Sequence, residues 1–256
     1  MAEPAVSLAV PETPPPGEFR VGHVLSRSLS ILFRNLFSFL LLSAIASVPY
    51  LIVYGDLYGR PFERAARTPW SGMHALAFLL GSVLTALCQA VVLYGAFQVM
   101  RGRRFQVGES LRRGLARFFP VIGTTLCMAF AMMLGLIVLV VPGLIVLSMF
   151  YVAPAACVVE RLGPFQSLSR SADLTKGHRW KVFGIYIVLS IVVAIGSTVL
   201  AAVLALAANT AVLIAGMFLW NTFARAIESV VAVVSYHDLR VAKEGVDIEH
   251  IAAVFD

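Results

Sequence analysis

Forty-two consecutive residues, Phe118–Val159, contain no aspartate, glutamate, lysine or arginine. As one helix they would run about 63 Å at ~1.5 Å per residue, roughly twice the hydrocarbon thickness of a bilayer. The tract therefore has to fold back. Pro142-Gly143 is the expected break, because proline cannot continue the hydrogen-bond ladder and glycine accepts turn dihedrals. Three more tracts are equally free of charge: Asn35–Gly55, Thr68–Met100 and Val182–Ala224. The second opens on the turn-like TPWSGMH. The fourth continues to Tyr236 interrupted only by Arg225 and Glu228, with a tight turn expected near Asn209-Thr210.

Only 13% of the residues are charged, against about a quarter in soluble domains, so the chain reads as an integral membrane protein. The runs are too long and too little alternating for barrel strands. The expected fold is all-α: six transmembrane helices as three hairpins, each preceded by a short cytoplasmic interfacial amphipathic helix. The spans fall at about 36–54, 75–100, 118–141, 144–159, 182–208 and 210–235. Residues 1–17 read as a disordered proline-rich tail, 18–235 as the membrane domain and 236–256 as a short cytoplasmic tail.

Sorting the 20 lysines and arginines by loop places sixteen on one side of these spans. The positive-inside rule then puts both termini in the cytoplasm and the chain in the cell (inner) membrane. The acidic start VPETPPPGE has no basic n-region, and apolar sequence runs on past Ala44-Ile45-Ala46, so the first helix is expected to stay uncleaved.

Three basic segments share a plan: Leu25-Ser-Arg-Ser28, Leu111-Arg-Arg-Gly114 and Leu168-Ser-Arg-Ser171. In the first, Arg20, Arg27 and Arg34 recur every seven residues on one helix face, opposite Leu25, Leu29, Leu32 and Leu36. In the third, Pro164 suits a first helical position and Gly177 a C-terminal cap, with Phe165, Leu168 and Ala172 as the buried face. His178-Arg179-Trp180 follows at the depth where indole rings settle. Interfacial helices of this type lie apolar face down with cations toward anionic lipid. Arg27, Arg34, Arg170, Lys176, Arg179 and Trp180 are the candidate headgroup contacts, on the cytoplasmic leaflet. Membrane proximity accounts for every cation, so nucleic acid is not an expected partner.

Asn221, Arg225 and Glu228 form a polar stripe at i, i+4, i+7 on the sixth expected span. Ionisable groups at such depth are costly unless paired, and mark functional sites by default. A structural Arg225–Glu228 pair or a snorkelling arginine outweighs a transport pathway here. Small residues at Ser197, Ala201 and Ala205, and at Ser82, Ala86 and Ala90, allow close helix approach.

No HExxH, GxSxG or P-loop occurs, and His23, His74, His178, His237 and His250 are scattered. Cys88, Cys127 and Cys157 lie in apolar runs without metal or redox spacing. No catalytic residue, metal or cofactor is expected, and the chain reads as a non-enzyme.

LSRSLSILFRNLFSFL at 25–40, VPGLIV at 141–146, APAACVVERLGPFQSLSRSADLTKGHRW at 153–180 and SYHDLRVAKEGVDIEHIA at 235–252 together carry a resemblance. They are similar to the membrane domain first described in glycerophosphoryl diester phosphodiesterases and also seen in YciC-like bacterial membrane proteins. Arg170-Ser171, Leu174, Gly177 and Arg179-Trp180 are its most specific element. The resemblance implies a six-helix module with cytoplasmic termini. It does not imply hydrolysis, which in those enzymes belongs to a separate soluble barrel that nothing in these 256 residues matches. The resulting expectation is a lipid-interacting or accessory membrane module, whose partners are anionic lipids or another membrane protein. A small-solute or lipid transporter using Asn221, Arg225 and Glu228 is the alternative.

Overall fold

The computed structural model describes residues 19–45, 89–100, 108, 112–113, 116–138, 140–206 and 209–245. Several expectations lie outside these residues. They are the proline-rich tail, the end of the first span, the outer loop GDLYGRPFERAARTPWSG, the start of the second span with Ser82, Ala86 and Cys88, and residues 246–256.

The described elements are all helical: α1 (Val21–Arg34), α2 (Leu36–Ile45), α3 (Gln89–Met100), α4 (Phe118–Val138), α5 (Val140–Phe150), α6 (Ala153–Val159), α7 (Pro164–Thr175), α8 (Arg179–Ala205) and α9 (Thr210–Glu244). Among the described residues, two helices are long and apolar enough to cross a membrane, Arg179–Ala205 and Ala211–Glu244. They become three if α1 and α2, bent by 84° at Asn35, are counted as one broken span. The chain is thus a largely helical, membrane-associated protein, and the expected six spans in three hairpins are not what it forms.

The third charge-free tract shows why. Its apolar helical stretches, Phe119–Gly135 and Gly143–Val159, are no longer than 17 residues, short of the ~20 residues a crossing needs. Pro142 does not break the chain. It occupies the third position of α5, where an amide N–H has no intrahelical partner and its loss costs no helix bond. The expected fourth span ends in α6, whose Ala153–Val158 are all buried in protein. Absence of charge marks an apolar environment, and a protein core meets that condition as well as lipid does.

The α8–α9 hairpin matches the expectation for the fourth tract. Asn209 caps α9, its Oδ1 accepting from Ala211 N at 2.9 Å and Val212 N at 3.3 Å. The helices run antiparallel, with Gly196 against the Trp220 ring and Gly216 against Leu204. A Cβ at either glycine would collide with its neighbour, so the close approach runs through these glycines. α9 does not stop near residue 235. It continues through Tyr236, His237 and Asp238 to Glu244, closed by Gly245 in the left-handed region (φ +64°). At ~1.5 Å per residue its 35 residues span about 52 Å, more than the hydrocarbon layer needs.

The packed core gathers at the C-terminal end of α9. Val230–Val234, Tyr236 and Leu239 are buried against Val24 and Leu32 of α1, Ala155–Val158 of α6, Leu174 of α7, and Val182, Ile185 and Leu189 of α8. Each fully buried branched side chain contributes about 1.5–3 kcal/mol. Beyond Leu189, α8 leaves this core and exposes Ile191, Val192, Ile195, Val199 and Val203.

Candidate functional site

Polar side chains converge where the core end of α9 meets α1, α6 and α7. Two networks form there on different faces of one helix, because residues 236, 240 and 244 are spaced by four and 237 and 238 lie on the adjacent face.

The first network answers why a basic cassette follows α6. Glu160, at the C-terminus of α6, receives Arg170 Nε from α7 at 2.9 and 3.0 Å, and Tyr236 Oη donates to the same carboxylate at 2.5 Å. Arg170 Nη2 then reaches Glu244 at 2.5 Å, and Arg240 Nε holds the second oxygen of Glu244 at 2.8 Å. Two carboxylates and two guanidiniums are paired, so the partly buried cluster is neutral and its members are satisfied. Burial opposes the charge on Arg170, but its bonds to Glu160 and Glu244 outweigh this and raise its pKa above the ordinary arginine value. Lys243 Nζ adds a bond to the Asp173 carbonyl at 2.6 Å.

The second network ties α1 to α9. The nearly buried Asp238 accepts from His23 Nδ1 at 3.2 Å and Arg27 Nη1 at 3.3 Å, with His237 Nδ1 at 3.1 Å. Lys181 Nζ of α8 donates to the Phe19 carbonyl at 2.9 Å, and the Phe19 ring meets His178 edge-on at 5.8 Å.

α7 is built as the sequence suggests at its ends and differently along its face. Pro164 is its first residue, Gln166 Oε1 accepts from Gly163 N at 3.2 Å, and Gly177 follows the C-cap with φ +89°. Phe165, however, is exposed, and the buried face carries Ser167, Leu168, Ser171, Leu174 and Thr175. Ser171 and Thr175 hydroxyls donate to the Met149 carbonyl at 2.7 and 3.2 Å, docking α7 on the end of α5. In α1 the buried stripe is likewise Val24, Ser28 and Leu32, while Leu29 is exposed.

The candidate headgroup residues therefore divide. Arg27 and Arg170 are committed to Asp238, Glu160 and Glu244. Arg34 and Lys176 are exposed, and the Trp180 ring is 78% exposed. Arg179 is half-buried, and its Nε finds no hydrogen-bond partner among the described residues. Lys176, Arg179 and Trp180 lie at the start of α8, ahead of its exposed apolar length, and Arg34 lies in the last turn of α1. Burial first, then the charges of Lys181 and Lys243, depress the His178 pKa below the usual histidine value.

On α9, Asn221 Nδ2 donates to the Met217 carbonyl of its own helix at 2.7 Å. Arg225 is half-buried and Glu228 is exposed, the two attracting each other one turn apart. Glu160, Tyr236 and Asp238, which organise the polar end, carried little local signal: apart from His237 beside Asp238, these partners lie 10 to 215 residues away. Among the described residues no group of three or more histidines, cysteines or carboxylates could hold a metal ion.

Residues 62–237, well over half of the chain, match the family model described as a domain of unknown function, DUF7847. No curated protein and no solved structure matches.

Proposed function

From the premise that the chain belongs to the DUF7847 family, whose description assigns no activity, we propose a non-enzymatic membrane module that gathers anionic lipid around the polar end of its helices. The single observation that carries this reading is a collar. Exposed Lys176 and Trp180 and half-buried Arg179 lie at the start of α8, ahead of its exposed apolar length, and Arg34 is exposed in the last turn of α1. Indole rings and cations at such a boundary suit the headgroup layer. The apolar belt of Ile191, Val192, Ile195, Val199 and Val203 suits the acyl chains beyond it.

On this reading the polar end faces the cytoplasmic leaflet of the cell membrane, since Lys176, Arg179 and Lys181 flank the start of α8 and Arg240 and Lys243 lie at the end of α9, whereas the turn between the two helices carries no lysine or arginine. The stretch that resembles the phosphodiesterase membrane domain is the part that builds the collar. Arg170 acts one layer inside it, holding α7 in place through Glu160 and Glu244.

Spin-labelled phosphatidylglycerol and phosphatidylcholine, compared on the full chain reconstituted in phosphatidylcholine bilayers, test the reading. The labelled phosphatidylglycerol is expected to associate preferentially. Arg34→Gln with Lys176→Gln should remove most of that preference, since each nearby cation is worth ~1 kcal/mol, about fivefold in association. Equal association of both lipids with the unmutated chain contradicts it.

A further inference from the structure

A second cationic feature lies apart from the collar. Arg112, Arg113 and Arg117, from the segment leading into α4, meet Arg161, from the turn between α6 and α7, around a cavity of about 650 Å³. Tyr94 of α3 and Val158 of α6 also line it. The described lining holds four guanidiniums and no carboxylate. Glu160, next in sequence to Arg161, is held by Arg170 and Tyr236 instead. Three of these like charges, Arg112, Arg117 and Arg161, repel one another around one space, and an anion inside it relieves that repulsion.

Two details describe the lining further. Arg161 has φ +59°, and among the described non-glycine residues it alone lies in the left-handed region. A residue with a Cβ adopts that conformation at a steric cost, and such cost concentrates at functional sites. Arg113 lies over the Tyr94 ring at 5.5 Å, which fixes its guanidinium at the cavity wall. Guanidinium groups match phosphate with paired, directional hydrogen bonds. The volume lies within the range of small-molecule sites and well above what one phosphate group fills.

We propose that this cavity binds a phosphomonoester, its phosphate among Arg112, Arg117 and Arg161 and its organic part against Tyr94 and Val158. The phosphomonoester could be a lipid headgroup or a soluble organic phosphate, which share this chemistry. The site uses none of the collar residues and stands whether or not the collar prefers anionic lipid.

Isothermal titration of the full chain in a neutral detergent separates these cases, with dioctanoyl phosphatidic acid and glycerol 3-phosphate as probes. Saturable binding of at least one probe is expected. Arg117→Gln and Arg161→Gly should each weaken it by about tenfold or more, the worth of a lost charge-assisted bond. Arg34→Gln with Lys176→Gln should leave it unchanged. Binding of the lipid alone assigns a headgroup, and comparable binding of glycerol 3-phosphate assigns a soluble ligand. Arg161→Gly also removes the steric cost at φ +59°, so its unliganded melting midpoint should match or exceed that of the unmutated chain. Binding by neither probe, binding that survives both pocket variants, or an Arg161→Gly chain that melts earlier overturns the proposal.

Discussion

The two arms of the α8–α9 hairpin begin from similar composition and end in opposite surroundings. From Ile191 to Val203, α8 carries isoleucine and valine facing outward. From Val230 to Leu239, α9 buries nearly every residue, including Ser235, Tyr236, His237 and Asp238. The more apolar arm is the exposed one and the more polar arm is the buried one. Apolar composition therefore reports that a helix avoids water, and only its partners decide whether lipid or protein replaces the water. A buried polar segment needs its hydrogen bonds supplied from elsewhere in the fold, and α1, α6 and α7 supply them.

Several changes can break or sharpen this contrast. The largest effect is expected for Asp238→Ala, which strands Arg27, His23 and His237 at a nearly buried position. A loss of about 3–5 kcal/mol in reversible unfolding from mixed micelles is expected, and a loss below 1 kcal/mol would show that the α1–α9 network does not hold the end together. Next comes a matched pair. Leu239→Ala empties a fully buried site and should cost about 2–5 kcal/mol, while Leu219→Ala, 64% exposed in the chain-free face of α9, should stay within about 0.5 kcal/mol. Equal costs would erase the distinction between the two regions.

The smallest effect concerns pH. His178 has a folded-state pKa depressed by burial and then by Lys181 and Lys243. Its neutral form is the one the fold accommodates, so stability is fully present above the ordinary histidine pKa of about 6.5 and falls as pH drops from there through the folded value. Melting midpoints measured across that window should fall less for His178→Gln than for the unmutated chain. Identical slopes would remove His178 from the acid response.

What was legible in the sequence was local. The turn near Asn209-Thr210, Pro164 as a first helical residue and Gly177 as a terminator each depend on neighbours within a few residues, and each stands where the pattern placed it. The number of membrane-spanning helices was not legible, because a run without charge does not say where its helix ends. Pro142, where the pattern placed the break, lies inside α5. Nor could a sequence show that Arg170 would be spent on Glu160 and Glu244. The 7-residue arginine spacing in α1 was visible, but Arg27 turns to Asp238 while Arg34 stays exposed. That division of a single stripe needs the position of α9, 210 residues away.

The placement of α8 in lipid with its collar at the headgroups is the claim on which the rest turns. Spin labels at residues 176, 199 and 233 of the reconstituted chain, read for collision with oxygen and with a water-soluble nickel chelate, test it most directly. A label at 199 should meet oxygen and not nickel, one at 176 should meet nickel, and one at 233 should be shielded from both. Nickel access at 199, equal to that at 176, would contradict it.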